Sequence, residues 1–227
     1  ASFWLCKSMK NMFYAKGIES TGIKPYYIYL YRDGRDVALS FQKAIVGEKH
    51  IYALVQNWKK DQEEALKLKD SCEPERFYML NYESLIADPE TEMRKLCDFL
   101  QVPYTDKIME YYTSRESKNT AVAGKMWSNV TKPILKNNSK KFMNELSSED
   151  IRIFESVAGD VLVKLGYELV TPADQLISDF SVDEIARFKD LNAQLKQTFR
   201  QKMDPADLEK RRKQEELLNR IKQYTSY

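Results

Sequence analysis

YIYLYRDGRDVALSF, residues 27–41, is the stretch that decides the fold of this chain. From Tyr26 to Tyr31 every residue is aromatic or branched apolar, which suits a strand buried in a parallel sheet with helices on both faces. The charged run that follows demands a sharp exit. Gly34 permits the turn, Asp36 is placed to cap the next helix, and Val37, Phe41 and Ile45 recur on one helical face. Arg32 therefore stands at the carboxyl end of a strand beside the open amides of a helix start, and Ser40 offers a hydroxyl from the same helix. Cation, amides and hydroxyl together make a candidate site for a terminal phosphate. The alternative is that Arg32, Asp33, Arg35 and Asp36 merely neutralise one another across the loop.

Phe77 to Asn81 reads as a second buried strand, and Tyr82 follows at its carboxyl end, the side on which ligands of open α/β sheets gather. A core tyrosine is the other reading of Tyr82. Asp88-Pro89 opens a helix with a cap and a first-turn proline, Met93, Leu96, Cys97 and Leu100 form its inward stripe, and Val102-Pro103 closes it. Ser147-Ser148-Glu149-Asp150 caps a longer helix whose Ile151, Phe154, Val157, Val161, Leu162 and Leu165 fall at helical spacing, and Gly166 stops it.

Arg32-Asp-x-Arg-Asp-Val-Ala-x-Ser40 after such a strand resembles the 3'-phosphate motif of the sulfotransferases that use 3'-phosphoadenosine 5'-phosphosulfate. The resemblance implies an α/β, P-loop NTPase-like three-layer sandwich over residues 1–170, of the bacterial-like branch, with Arg32 and Ser40 holding the 3'-phosphate. Tyr82-Glu83-Ser84-Leu85 resembles the family's Tyr-Glu-x-Leu element, whose Tyr stands beside the adenine. Gly124 to Thr131 resembles in part the late Gly-x-Trp-x-Asn segment near the 3'-phosphate and its lid, which makes Lys125 and Trp127 candidate donor-binding residues. The usual Arg-Lys-Gly before it is absent, so Lys118 and Lys125 both remain candidates for the second cation. Phe3 to Ser8 reads as a strand running into a turn, and Lys7-Ser8 fits the place before the acceptor site, where Lys7 is a candidate for charge stabilisation or a structural lysine. Met9 stands where one branch carries its catalytic His, and the lone His50 opens a helix with Ile51, Leu54, Val55 and Trp58.

The family also needs a glycine-rich loop to cradle the 5'-phosphosulfate. Only seven glycines occur in the 227 residues, and none builds such a loop. The expectation is a domain without its N-terminal strand and loop, inactive in this form. Sulfuryl transfer to a hydroxyl or amine, on a small-molecule or glycan acceptor, is an in-line displacement governed by positioning and charge, and needs no metal. Cys6, Cys72 and Cys97 have no metal-ligand spacing.

Lys plus Arg at 36 against Asp plus Glu at 34 leaves a net +2, which does not point to nucleic acid. No apolar run approaches a membrane span. The expected compartment is the cytoplasm, and the sequons at Asn129 and Asn137 leave a lumenal relative open. Residues 171–227 read as a helical extension. Ser181-x-x-Glu184 caps a helix with Ile185, Phe188, Leu191, Leu195 and Phe199, and Asp204-Pro205 starts another whose Lys210 to Lys213 cluster reads as a solvated face. The extension packs on the domain or joins a homo-oligomer. Two rival classes stand beside the sulfotransferase: another phosphate-handling α/β enzyme such as a nucleotide kinase, and a non-catalytic remnant that binds a protein partner.

Overall fold

The computed structural model describes residues 3–122 and 125–224. In chain order its elements are α1 (Ala15–Glu19), β1 (Tyr27–Tyr31), α2 (Gly34–Lys43), α3 (Ile51–Ser71), β2 (Phe77–Asn81), α4 (Tyr82–Ala87), α5 (Pro89–Phe99), α6 (Arg115–Val122), α7 (Phe142–Glu145), α8 (Ser148–Lys164), α9 (Val182–Gln201) and α10 (Pro205–Tyr224), with short 3-10 turns between them. The strands β1 and β2 pair in parallel, Tyr27 opposite Phe77 and Tyr31 opposite Asn81. Parallel neighbours need a long crossover, and α2 and α3 supply it. The fold is α/β with a small parallel sheet, two-stranded among the described residues.

Residues opposite one another in a parallel pair share a face, so alternate positions build two surfaces. Tyr29, Tyr31 and Met79 face the main core with α3 and α8, where Ile51, Val55, Trp58, Phe154, Val161 and Leu162 are buried. On the other face Leu80 is buried and Tyr78 packs on Phe99 of α5 with ring centroids 5.1 Å apart. Helices α4 and α5 cover that face at β2, whereas Ile28 and Leu30 of β1 are exposed on it, so the expectation of a β1 buried on both faces holds only for the core side. Among the described residues no helix is long and apolar enough to cross a membrane.

Several expectations need correction. The cap of α2 is Asp33, whose Oδ1 accepts the Arg35 amide at 2.9 Å; Asp36 lies inside the first turn and faces the interior. Gly34 is there for a different reason from a turn. A Cβ on it would lie 2.5 Å from Phe154 Cζ and 2.6 Å from the Trp58 ring, so the residue is small because two aromatic rings press on the helix start. Gly34→Ala is expected to cost about 1–3 kcal/mol by overpacking, read as a lower midpoint in urea with an unchanged slope. Phe3 to Ser8 form no strand. Phe3, Trp4 and Leu5 are exposed, and among the described residues the segment pairs with no strand, so extended residues there gain no ladder.

The other helix starts lie where their side chains predict. Asp88 Oδ1 accepts the Thr91 amide, Ser147 Oγ that of Asp150, and Ser181 with Glu184 forms a reciprocal capping box. His50 caps α3 by accepting the Tyr52 amide on Nδ1, and its ring stacks on Phe188 of α9 at 4.8 Å. Burial lowers the His50 pKa, as expected for an imidazole wedged between helices. Phe188 belongs to the main core, so α9 is packed on the α/β layers. The side chains of Lys210, Arg211 and Lys213 lie outside the described residues.

Candidate active site

The loop after β1 divides its two arginines between different tasks. Arg35 turns inward, where its guanidinium meets Asp33 at 2.7 Å, forms a short ion pair with Glu155, donates to the Glu168 carbonyl at 3.0 Å and lies over the Phe142 ring at 4.0 Å. Its side chain is 3% exposed. Here the mutual-neutralisation reading holds for Asp33 and Arg35, and Glu155 completes the set.

Arg32 stays at the rim of the site. Its guanidinium stacks over the Tyr82 ring at 4.5 Å, its Nη2 donates to the Asn138 carbonyl at 2.8 Å, and the Asp36 carboxylate stands 3.5 Å away. Two atoms here are buried without a hydrogen-bond partner: Arg32 Nε and Asp36 Oδ2. Buried polar groups are nearly always paired, and an orphan in a well-packed site calls for a specific reason. An incoming anion would satisfy Nε, which has no hydrogen-bond acceptor among the described residues.

The loop is held from below. Glu83 accepts the Asp33 amide at 3.1 Å on one oxygen, and the Tyr167 hydroxyl at 2.9 Å and Asn81 Nδ2 at 3.0 Å on the other. Burial, with the nearby Glu83 carboxylate, raises the Tyr167 pKa far above its ordinary value and keeps the phenol neutral. Asp36 Oδ1 accepts the Phe142 amide at 2.9 Å. Two distant segments thereby converge on the carboxyl end of β1.

Tyr82 also borders an apolar cavity of about 480 Å³ lined by Ile86, Met93, Met109, Val130 and Leu135, with Asn138 at its polar end. The volume is in the range of a small-molecule site. Asn138 Nδ2 donates to the Tyr82 hydroxyl at 2.7 Å, so one residue touches both Arg32 and Tyr82.

The candidates from sequence are not all gathered here. Arg32 and Tyr82 are in contact. Ser40 is exposed further along α2 and makes no hydrogen bond to Arg32. Lys7 is exposed in the irregular segment, without an ion pair or hydrogen bond to this group. Trp127 is 40% exposed, and its neighbours Asn129 and Val130 line the cavity in its place. Lys118 is exposed on α6, and the side chain of Lys125 lies outside the described residues. Asn138 was missed because it figures in the sequence only inside a sequon.

Glu155 links the site to acid stability. Burial pushes its pKa up, but hydrogen bonds from Thr171 and Val170 and the pairing with Arg35 outweigh it, and the carboxyl titrates below its ordinary 4.5. A depressed carboxyl contributes stability that is full above the unfolded-state value and is lost as pH falls through the folded-state value. Melting temperature should therefore drop below about pH 4.5. Glu155→Gln should melt lower at neutral pH and with a shallower acid limb; parallel profiles for parent and variant would exclude Glu155 as the group.

Residues 1–106 match the profile of the Sulfotransferase family. An uncharacterised protein of Aquifex aeolicus (strain VF5) is 35% identical over 48 residues, 21% of this chain and 6% of that protein. The sulfotransferase domain from the curacin biosynthetic pathway superposes with a TM-score of 0.52 at 22% identity, covering 72% of this chain and 62% of that one. The chain thus spans less than two thirds of either protein, and the structural likeness speaks for the fold. The profile match likens residues 1–106, a little under half of the chain, to the sulfotransferase family, and the superposition shows that the α/β fold is that of a sulfotransferase domain.

Proposed function

We propose that this chain carries the donor-nucleotide site of an enzyme that moves a sulfuryl group from 3'-phosphoadenosine 5'-phosphosulfate to a hydroxyl or amine of an acceptor. The observation that carries the reading is Arg32 itself. It is a guanidinium at the carboxyl end of a parallel strand, stacked on Tyr82 beside an apolar cavity, with a buried Nε that has no acceptor among the described residues. In this reading Arg32 pairs with the 3'-phosphate by charge-assisted bonds. The purine enters the cavity along the Tyr82 ring. In the same reading Ser40 adds its hydroxyl to the 3'-phosphate, Lys7 assists charge stabilisation near the acceptor, and Lys125 and Trp127 contact the donor. The acceptor site, the cytoplasmic location and a homo-oligomer through α9 and α10 belong to the same proposal.

The test is calorimetry with 3'-phosphoadenosine 5'-phosphate. Arg32→Ala should weaken binding by roughly 2–4 kcal/mol, since it removes a desolvated charge from a dianion. Equal affinity for parent and variant would refute the assignment of Arg32.

A further inference from the structure

Within the reading of Arg32 as an anion site, on which this inference rests, we propose that Asn138 is the positioning residue that keeps Arg32 available to the ligand. Arg32 has a competing partner in Asp36, whose side chain is fully buried and whose Oδ2 lacks a hydrogen bond. At 3.5 Å the two are near but not joined in a short pair. Shortening that ion pair would satisfy Asp36 Oδ2 through Nη2 and bind the guanidinium more tightly to a carboxylate that competes with a phosphate. The acceptor that holds the guanidinium off Asp36 is the Asn138 carbonyl, at 2.8 Å from Nη2.

That carbonyl is in turn held by its own side chain. Asn138 Nδ2 donates to the Tyr82 hydroxyl at 2.7 Å, and Tyr82 supplies the ring on which Arg32 stacks. Three groups thus close a cycle: Arg32 to the Asn138 backbone, Asn138 side chain to the Tyr82 hydroxyl, Tyr82 ring to Arg32. Each contact restrains the other two, and the cycle leaves Arg32 Nε as a buried, unspent donor. A guanidinium ordered before the ligand arrives loses less entropy on binding. The bond also places Asn138 at the seam between the cationic rim and the apolar cavity, where phosphate and base of one nucleotide would meet.

Because Asn138 acts through Tyr82, cutting their bond from either end should have one effect and not two. Calorimetry with 3'-phosphoadenosine 5'-phosphate should show about tenfold weaker binding for Asn138→Ala, about tenfold for Tyr82→Phe, and no more than about tenfold in total for the double variant, since groups in one network are not additive. Tyr82→Phe keeps the ring, and melting curves of all three should stay close to the parent, so a general loss of structure would not imitate the result. Losses that multiply to about a hundredfold in the double variant, or unchanged binding in both single variants, would overturn the role of Asn138. Arg32→Ala separates the two levels. If binding survives that substitution, or if the parent binds no nucleotide, the anion-site reading falls, whereas binding lost in Arg32→Ala but untouched in Asn138→Ala overturns this inference alone.

Discussion

Arg35→Ala is expected to destabilise the protein by roughly 3–5 kcal/mol, the scale for breaking a buried ion pair from one side. The reason lies in what is left behind. Asp33 and Glu155 are both almost wholly buried, at 6% and 0% side-chain exposure, and without the guanidinium two carboxylates would face one another in the interior. Glu155 keeps the Val170 and Thr171 amides, but Asp33 would lose its only ion-pair partner among the described residues. Since Asp33 also caps α2, the loop carrying Arg32 would loosen with it. Equilibrium unfolding in urea measures the loss; a variant within about 1 kcal/mol of the parent would show that the buried cluster is replaceable. Arg35→Ala therefore changes the fold before it changes binding, which makes it unsuitable as a neutral control for Arg32→Ala.

Phe188→Asp is expected to have a similar effect, about 3–5 kcal/mol for the lost ring, with the cost of a buried carboxylate in addition. Phe188 is 5% exposed and lies among His50, Tyr52 and Phe180, with ring centroids 4.8, 5.2 and 5.7 Å away. The polar contacts beside it cannot compensate. Asn192 Oδ1 accepts the Lys49 and His50 amides at 2.8 and 3.0 Å, and Lys196 pairs with Glu48 at 3.0 Å, but an exposed pair contributes about 0–1 kcal/mol. Lys196→Ala should accordingly leave the melting temperature nearly unchanged. If Phe188→Asp melts with the parent, α9 does not share the core.

What was legible in the sequence was local. Aromatic and branched apolar runs mark β1 and β2, and Asp88-Pro89, Ser147 and Ser181 mark helix starts, because caps and strand propensity act over a few residues. The pairing of charges was not legible. Arg35 and Glu155 lie 120 residues apart, and Arg32 and Asn138 lie 106 apart, so nothing near either arginine tells which one turns inward. The role of Gly34 escaped for the same reason: its neighbours are Trp58 and Phe154, not the residues on either side. Phe3 to Ser8 carries the composition of a strand, yet a strand exists only where another edge can pair with it. The resemblance pointed to Arg32 and Tyr82 from separate motifs, and the structure puts one on the other. It gave no hint of the asparagine between them.

The most direct test of the donor-site reading compares two nucleotides on two proteins. Binding of 3'-phosphoadenosine 5'-phosphate and of adenosine 5'-phosphate is measured by calorimetry on the parent and on Arg32→Ala. If Arg32 meets the 3'-phosphate, the parent should prefer the bisphosphate by about 2–4 kcal/mol, and the preference should nearly vanish in the variant. A preference that persists in Arg32→Ala, or a parent that binds the two nucleotides equally, would contradict the assignment.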